Sequence, residues 1–437
     1  MIQLALLLFG AGFMRRNAYL LMMIGLVWAS LGLAIFIDGL DGVRWFPLML
    51  FGALLLAESI VTLLVASNGL GAQRAVLGFK GGIFLLLSLL ILSSSSISNF
   101  LMALIFGLSY FILGTFQIAS AWVVRYDGWR RAILIGIAQL AFGVLLFQPY
   151  PTHYVGTVSA FIGVTVLVAG INTVRVAIRA RRMSRNASMF NLIAPEDLQI
   201  DARAPAAEAA QAAASEEKPA LTVHVWTPEG SAKNTTVPRP VINRYIAAVD
   251  VNGVISTGHA ALEMAPGTYI SLYPAVDIDR SPSEFFNILK AVKENDVPGT
   301  YQPDYVTESK AWCPSTRQIK FEHYNRQGLQ AFWDKYRQMP VYNLTRRNCS
   351  SSVSYALESA LDGVLASRSR NTAQVLRTLL MPELWIAAQV RRRAQVMAWT
   401  PGLTLDYCRA LRAIVHPNDR PWFTRLVRAV RQQTRQD

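Results

Sequence analysis

The sequence predicts a multi-domain chain, with an all-α transmembrane domain of six helices followed by an α+β domain and a basic helical tail. Three observations predict this class. The chain of 437 residues is 52% hydrophobic, and its mean hydropathy of +0.29 is too high for soluble domains alone. The apolar excess lies within residues 1–174, which hold few charges. From Leu221 the pattern changes to short strands and then to amphipathic helices.

Six apolar windows predict the transmembrane domain, which we place at residues 1–183. A span needs about 20 apolar residues, and the windows lie at 18–36, 45–66, 75–93, 100–124, 132–147 and 154–174. Brief connectors separate the windows, so the sequence predicts three successive antiparallel hairpins. Residues 1–14 are apolar but follow no basic segment and precede no cleavage pattern. They predict an interfacial or extended lead into the first span and not a secretory signal.

Small residues and two charges stand out inside the windows. Four windows hold two glycines seven residues apart: Gly25 and Gly32, Gly107 and Gly114, Gly136 and Gly143, Gly163 and Gly170. Seven residues are two helical turns, so each pair lies on one helix face and predicts close packing against a neighbouring helix. Glu58 and Lys80 are ionisable residues inside the windows. We interpret them as an ion pair with each other, or Lys80 as snorkelling to the interface, in preference to a functional site.

Positive charge is uneven among the connectors. Arginines precede the first window and follow the second, fourth and sixth, whereas the opposite connectors hold little positive charge. By the positive-inside rule, the N-terminus and the C-terminal domain are both cytoplasmic. The six short spans, the Arg15 and Arg16 lead and the arginine-rich exit resemble the HdeD family of small bacterial membrane proteins, over roughly residues 10–185. The resemblance implies a multi-pass protein of the bacterial inner membrane.

The remaining sequence predicts a tethered α+β domain. Residues 184–220 are rich in alanine, proline and glutamate and predict a flexible linker. Strands are predicted at 221–226, 245–251, 259–264 and 269–273, and helices at 283–294, 327–338 and 350–365. Because the strands precede the helices, residues 221–365 predict an α+β domain. Cys313, Cys349 and Cys408 have no paired spacing, so we expect a reducing compartment and no disulfide framework.

Two residues of this domain carry the functional signal. His259 opens a predicted strand after Gly258, and Cys349 opens a predicted helix after Asn348. Unpaired amides and the helix dipole at a helix N-terminus favour a thiolate, and a nearby imidazole favours it further. His259 could then act as a general base and later as a general acid. Alternatively, Cys349 is a small buried hydrophobe and His259 a hydrogen-bonded polar residue.

These elements resemble the circularly permuted branch of the papain-like, NlpC-type superfamily, in which the histidine strands precede the cysteine helix. The matching elements, within residues 221–365, are Gly258 and His259, residues 269–274, and Asn348 and Cys349. The resemblance implies that Cys349 is the nucleophile and His259 the base. It also implies a third polar residue that orients the imidazole, for which Ser271 is the candidate and Glu263 the runner-up.

The predicted reaction is acyl transfer through a Cys349 thioester at the cytoplasmic face, which gives hydrolysis of an amide or ester, or transfer to another acceptor. The oxyanion hole would combine the backbone amide of Cys349 with a donor just upstream, Asn343 or Tyr342. The chemistry requires no metal or cofactor. Two alternatives stay open: a non-catalytic membrane stress or scaffold protein whose soluble domain binds a partner, and a toxin-like peptidase or amidase.

Residues 366–437 predict a basic helical region. From Gln389 onward the chain holds ten arginines against three aspartates, interleaved with tryptophan and leucine. One interpretation is an amphipathic helix on the anionic cytoplasmic leaflet, and the other is a helical cap on the hydrolase domain. The net charge of +14 therefore indicates the lipid bilayer, with anionic lipids at the tail, as the partner. Nucleic acid is not expected, because no recognised reading motif accompanies the charge.

Overall fold

The structure, a computed structural model, describes residues 1–40, 46–67, 72–183, 187–200, 219–227, 248–249, 255–256, 258–276, 278 and 285–417. The described residues form two compact units. The apolar unit comprises Tyr19–Ala119 and Arg130–Ala177. The mixed unit comprises Met1–Ala18, Ser120–Trp129 and Ile178–Pro417.

Six helices make up the N-terminal part of the chain, and each overlaps a predicted window. They are α1 Ile2–Asp38, α2 Leu48–Ser67, α3 Ala72–Ser93, α4 Ser96–Val124, α5 Trp129–Phe147 and α6 Thr157–Arg182. By length and hydropathy, α1, α4, α5 and α6 could span a membrane, whereas α2 and α3 hold shorter apolar stretches. Large apolar side chains such as Phe79 and Leu134 are exposed on these helices. Such a surface is suited to lipid and not to water.

Glycines bring helices of the apolar unit into close contact. α1 lies against α6, where a Cβ on Gly32 would fall 2.3 Å from the backbone nitrogen of Leu167. α4 lies against α5, where a Cβ on Gly143 would fall 3.0 Å from the carbonyl oxygen of Gly107. Only glycine allows backbones to approach this closely. The predicted packing role of the glycine pairs is therefore confirmed.

Polar side chains join α2 to α3. Lys80 Nζ lies 2.6 Å from Glu58 Oε1, and Ser59 Oγ donates a hydrogen bond of 2.8 Å to the carbonyl oxygen of Gly81. The predicted ion pair between Glu58 and Lys80 is thus confirmed. The observed contacts join α1 to α6, α2 to α3 and α4 to α5. They differ from the predicted hairpins, which pair the first window with the second, the third with the fourth and the fifth with the sixth. The positions of the glycine and polar contacts, and not the brevity of the connectors, decide which helices meet.

The mixed unit is built on antiparallel strands. Those described are β1 Leu221–Trp226, β2 Ala248–Val249, β3 Ile255–Ser256, β4 His259–Met264, β5 Thr268–Ile270, β6 Leu272–Pro274, β7 Val297–Tyr301, β8 Arg317–Phe321 and β9 Val341–Tyr342. They form sheets of order β5-β4-β1-β8, β6-β7-β9 and β2-β3. In the largest sheet, β4 pairs with β1 so that His259 lies opposite Trp226.

Seven helices accompany the strands. They are α7 Phe285–Ile288, α8 Tyr305–Ala311, α9 Arg326–Tyr336, α10 Cys349–Ala360, α11 Thr372–Leu379, α12 Pro382–Val396 and α13 Pro401–Val415 within the described chain. Every residue of α10 is buried, and this helix packs against β4, α9 and α13. The core of the mixed unit therefore lies between α10 and the β5-β4-β1-β8 sheet.

The order of elements in the mixed unit departs from the prediction. Strands do not simply precede helices, because β7, β8 and β9 alternate with α8 and α9. The predicted helix at 283–294 reduces to α7 and a short 3-10 turn at Lys293–Asn295. The edge strand β8 reads Arg-Gln-Ile-Lys-Phe and β7 contains proline and glycine. In β8 the apolar alternation is limited to Ile319, Lys320 and Phe321, and β7 does not alternate apolar with polar side chains, so neither run is long enough to identify a half-buried strand.

The first residues of the chain belong to the core of the mixed unit. Leu4 through Phe9 are almost fully buried, and the carbonyl oxygens of Leu7 and Leu8 accept hydrogen bonds from the backbone N–H groups of Gly363 and Leu365. α1 kinks at Gly10, where φ is 78°. This placement differs from the predicted interfacial lead. An apolar segment without charges can fill a protein core as well as enter a membrane interface, and the sequence alone does not separate the two.

The domain boundaries predicted at 183, 220 and 365 also differ from the two observed units. Residues 187–200, the described part of the predicted linker beyond 183, carry buried side chains such as Phe190. Of the predicted basic tail, 366–417 fold into the mixed unit, where Arg391 makes a buried ion pair of 2.7 Å with Glu358. Within the described residues, this part of the chain packs as helices against the rest of the mixed unit. Residues 201–218 and 418–437 lie outside the described chain.

Candidate active site

His259 and Cys349 meet at the ends of two packed elements. His259 begins β4 directly after Gly258, whose φ is 72°, and its side chain is 3% exposed. Cys349 begins α10, and its N-cap Asn348 forms a capping box with Ser351. Because α10 packs against β4, the helix start and the strand start lie together. The structure thus brings together the two residues that the sequence places ninety positions apart.

The thiol of Cys349 lies in a polar environment despite its burial. The His259 imidazole and the backbone N–H of Ala260 lie near its sulfur, and Ser350 Oγ lies 3.7 Å away. Burial by itself raises the pKa of a thiol, but the charge of the His259 imidazolium and the polar groups around the sulfur lower the pKa of Cys349 below its usual value. The residue keeps 9% of its surface exposed. A stabilised thiolate with access to solvent is the reactive form of cysteine.

The imidazole of His259 is held on two sides. Its Nε2 lies 2.8 Å from Ser271 Oγ and 3.2 Å from Glu308 Oε1. Because Nε2 is already engaged, Nδ1 is the nitrogen left to face the sulfur of Cys349. The ring also stacks on Tyr273, with centroids 4.1 Å apart and an interplanar angle of 21°. The position and orientation of the ring are therefore fixed before any substrate binds.

Two anions set the charge of His259. Burial lowers the pKa of this imidazole, but the Cys349 thiolate and the Glu308 carboxylate outweigh that effect and raise the pKa to about 9. The protonated ring is thus the stable form at neutral pH, between a thiolate and a carboxylate. An ion pair of thiolate and imidazolium is the resting state that a nucleophilic cysteine requires.

Glu308 is the member of the site that the sequence did not reveal. It lies on α8, is 3% exposed, and accepts hydrogen bonds from the hydroxyl groups of Tyr269 and Tyr273, the latter at 2.7 Å. Burial raises the pKa of a carboxyl group. The hydrogen bond and positive charge of His259, together with the hydrogen bonds from Tyr269 and Tyr273, outweigh burial and lower the pKa of Glu308 to about 2. This carboxylate therefore stays ionised at physiological pH.

A weak sequence signal for Glu308 existed. Tyr305, Glu308 and Trp312 follow a spacing of three and four residues, which places them on one face of a short helix. That face carries two aromatic side chains, so a carboxylate between them is an acid on a side expected to be buried. Such an acid requires a buried partner, and a search for that partner would have led to His259.

The predicted third residue also lies in the site. Ser271 is fully buried in the break between β5 and β6, and its hydroxyl contacts His259 as the sequence predicted. Glu263, the runner-up, lies instead 3.0 Å from Nε2 of His224 and has no place beside His259. Ser271 and Glu308 share one ring nitrogen. The carboxylate has the stronger hold on an imidazolium, because a hydrogen bond between charged groups is about twice as strong as one between neutral groups.

One predicted oxyanion donor is committed elsewhere. The side-chain amide of Asn343 donates to Asp296 Oδ1 at 2.9 Å and to the carbonyl oxygen of Val292 at 3.2 Å. Tyr342 is buried in β9. The backbone N–H of Cys349 is the first amide of α10, and such amides have no acceptor inside their own helix. This amide therefore remains the candidate oxyanion donor, next to the sulfur itself.

The other cysteines lack this setting. Cys408 is completely buried in α13, and burial raises the pKa of its thiol well above the usual value. All three cysteines are free thiols. Within the described ranges, no group of three or more histidine, cysteine or acidic residues is placed to hold a metal ion. Comparison of the chain with protein-family models, with curated proteins and with solved structures found no match.

Proposed function

We propose that the chain is a membrane-anchored thiol hydrolase or acyltransferase that acts on an amide or ester at the cytoplasmic face of a bacterial inner membrane. The observation that carries the proposal is the placement of Cys349 beside His259 where α10 packs on β4, with Glu308 3.2 Å behind the imidazole in a buried site. The order of histidine strand and cysteine helix, and the antiparallel strands around His259, support a permuted papain-like domain of the NlpC type.

The reaction follows from the resting ion pair. The Cys349 thiolate attacks the substrate carbonyl carbon, a carbon–sulfur bond forms, and the backbone N–H of Cys349 stabilises the oxyanion. The His259 imidazolium gives its Nδ1 proton to the leaving nitrogen or oxygen as that bond breaks. The neutral imidazole then takes a proton from water or from another acceptor, which attacks the thioester. The carbon–sulfur bond breaks and Cys349 leaves as the thiolate.

The membrane part of the proposal is six spans in the manner of the HdeD family, with both ends cytoplasmic. Its support is the four helices that are long and apolar enough to cross a bilayer, and the two shorter apolar helices that lie against each other. The arginines beside alternate connectors favour the cytoplasmic side. A location beside the bilayer favours a lipid, a lipidated protein or a membrane protein as the substrate.

Alkylation of the purified full-length protein tests the thiol chemistry. Iodoacetamide should modify Cys349 well below pH 8.5, the usual pKa of a cysteine. Cys408 is the internal control, because a buried neutral thiol should stay unmodified in the folded protein. His259→Gln should abolish the reaction at low pH. Equal reactivity of Cys349 with and without His259 would contradict the proposed ion pair.

Substrate cleavage provides the second test. Lipid extracts, lipidated peptides and inner-membrane proteins are incubated with the parent and with Cys349→Ala, and released acids or amines are identified by mass spectrometry. A product formed by the parent and by Cys408→Ala, but absent with Cys349→Ala, supports the proposal. Identical product profiles for all three proteins, under conditions where iodoacetamide labels Cys349, would leave a reactive thiol without an enzymatic role.

A further inference from the structure

An arginine lies against two neighbouring tryptophans where α4 ends and α5 begins. The guanidinium carbon of Arg125 is 5.7 Å from the ring centre of Trp122 and 5.6 Å from that of Trp129. The two indole rings are 6.3 Å apart at an interplanar angle of 80°. All three residues belong to the mixed unit. Aromatic faces attract a cation and fix the plane of its guanidinium group.

No carboxylate neutralises this cation. Arg125 takes part in no ion pair among the described residues, and its buried Nε has no hydrogen-bond acceptor. Buried polar nitrogens almost always have a partner, so one without a partner calls for an explanation. The backbone of Arg125 is also left-handed, with φ at 52°. A residue other than glycine holds this conformation at a cost, and such positions cluster at functional sites.

The corner is held rigidly to the rest of the mixed unit. Ser120 Oγ donates a hydrogen bond of 2.5 Å to the carbonyl oxygen of Val396. The backbone N–H of Ala291 donates one of 2.6 Å to the carbonyl oxygen of Val124. These bonds lie on the turn of α4 that leads into Arg125. The backbone that carries Arg125 is therefore held in place, which reduces the entropy lost when the side chain binds a ligand.

The location of the corner identifies the ligand. α4 is one of the helices that could span a membrane, and Arg125 immediately follows its last residue. Trp122, on the last turn, is 59% exposed, as expected for a tryptophan at the boundary of hydrocarbon and headgroups. The anion present at that depth is a phospholipid phosphate. A planar guanidinium binds phosphate through two parallel hydrogen bonds.

We propose that Trp122, Arg125 and Trp129 form a binding site for the phosphate of an anionic glycerophospholipid. The two indoles lie beside the guanidinium and leave its terminal Nη groups for the phosphate oxygens, while acyl chains lie along the apolar end of α4. This proposal does not depend on thiol chemistry. It would stand even if Cys349 were inert.

Native mass spectrometry of the full-length protein released from detergent tests this site. Phosphatidylglycerol is titrated against the parent, Arg125→Gln and Arg131→Gln, with phosphatidylcholine as the zwitterionic reference. Arg131 lies in the same part of the chain and is exposed, and its replacement by glutamine removes the same charge. We expect Arg125→Gln to weaken phosphatidylglycerol binding at least about ten-fold through loss of the bidentate contact, and Arg131→Gln by about five-fold at most through general attraction.

The controls leave each outcome decisive. Arg125→Lys keeps the charge but lacks the planar fork, so it should bind more weakly than the parent. A near-native thermal unfolding profile of each variant shows that the fold is retained. Equal effects of Arg125→Gln and Arg131→Gln would mean diffuse charge attraction and would refute a defined site. Displacement of the lipid by glycerol phosphate at equal concentration would refute a lipid ligand in favour of soluble phosphate.

Discussion

Replacing Glu308 by glutamine isolates the carboxylate charge behind His259. Glutamine keeps the size of the side chain and an oxygen that can accept from Tyr269 and Tyr273, so the hydrogen-bonded frame is largely retained. The change removes one of the two anions that favour the imidazolium. We therefore expect the His259 imidazolium to lose its proton at lower pH, with little change in the fold.

The pKa of His259 gives the magnitude. It rises from 6.5 to about 9, and a difference of one in pKa corresponds to about 1.4 kcal/mol, so the site favours the imidazolium by about 3 kcal/mol. Burial opposes this preference, and the Cys349 thiolate and then Glu308 supply it. If the carboxylate supplies a third to a half of this preference, its loss lowers the pKa of His259 by about one, which is about a ten-fold weaker preference for the imidazolium.

The assay is the rate of Cys349 alkylation as a function of pH, followed by peptide mass spectrometry. In Glu308→Gln, the change in alkylation rate that accompanies deprotonation of the His259 imidazolium should move to a pH about one unit lower than in the parent. Glu263→Gln is the matched control, because it removes a carboxylate that contacts His224 and not His259. Superimposable pH profiles for Glu308→Gln and the parent would refute the role of Glu308.

Three further predictions concern stability. Gly10→Ala should lower the free energy of unfolding by about 1–3 kcal/mol, because φ is 78° at Gly10 and a Cβ there would lie 2.8 Å from a backbone atom. Thermal unfolding measures this loss. Gly12→Ala is the control, because a Cβ on Gly12 meets open space. Arg391→Met should cost about 3–5 kcal/mol by leaving Glu358 charged and buried; combining it with Glu358→Leu should restore much of that loss in the same assay. Because folding raises the pKa of His259, its stabilising contribution is complete below pH 6.5 and is lost as pH rises through about 9. Denaturant titrations across this range should show a decline that His259→Gln lacks.

The candidate site could be predicted where local sequence determines local geometry. A glycine before His259 and an asparagine before Cys349 identify the start of a strand and of a helix, and both elements begin where expected. Ser271 came from the resemblance to the permuted NlpC-type branch, which implies a third residue on the strand after the histidine, and its hydroxyl does contact His259. Glu308 was not found, because it comes from a helix whose packing against the sheet is a tertiary contact and has no fixed sequence offset from His259.

Residues 1–18 show the corresponding limit for the fold. Their apolar side chains indicate that most of the segment avoids water. Burial in the mixed unit and entry into a membrane interface would both remove these side chains from water. Backbone hydrogen bonds to Gly363 and Leu365 decide in favour of the mixed unit. The same holds for Arg391, which belongs to a run of three arginines that suggests an exposed basic surface. Its ion pair with Glu358 is visible only in the folded chain.

The sequence by itself determined the apolar helices, the glycine faces, the strand that begins at His259 and the helix that begins at Cys349, because periodicity, capping and side-chain size act over a few residues. Only the tertiary structure decided which helices meet, that the first residues fill a core, and that Glu308 lies behind His259. These outcomes depend on contacts between segments far apart in the chain, where the burial of apolar surface and the need to pair every buried charge select one arrangement.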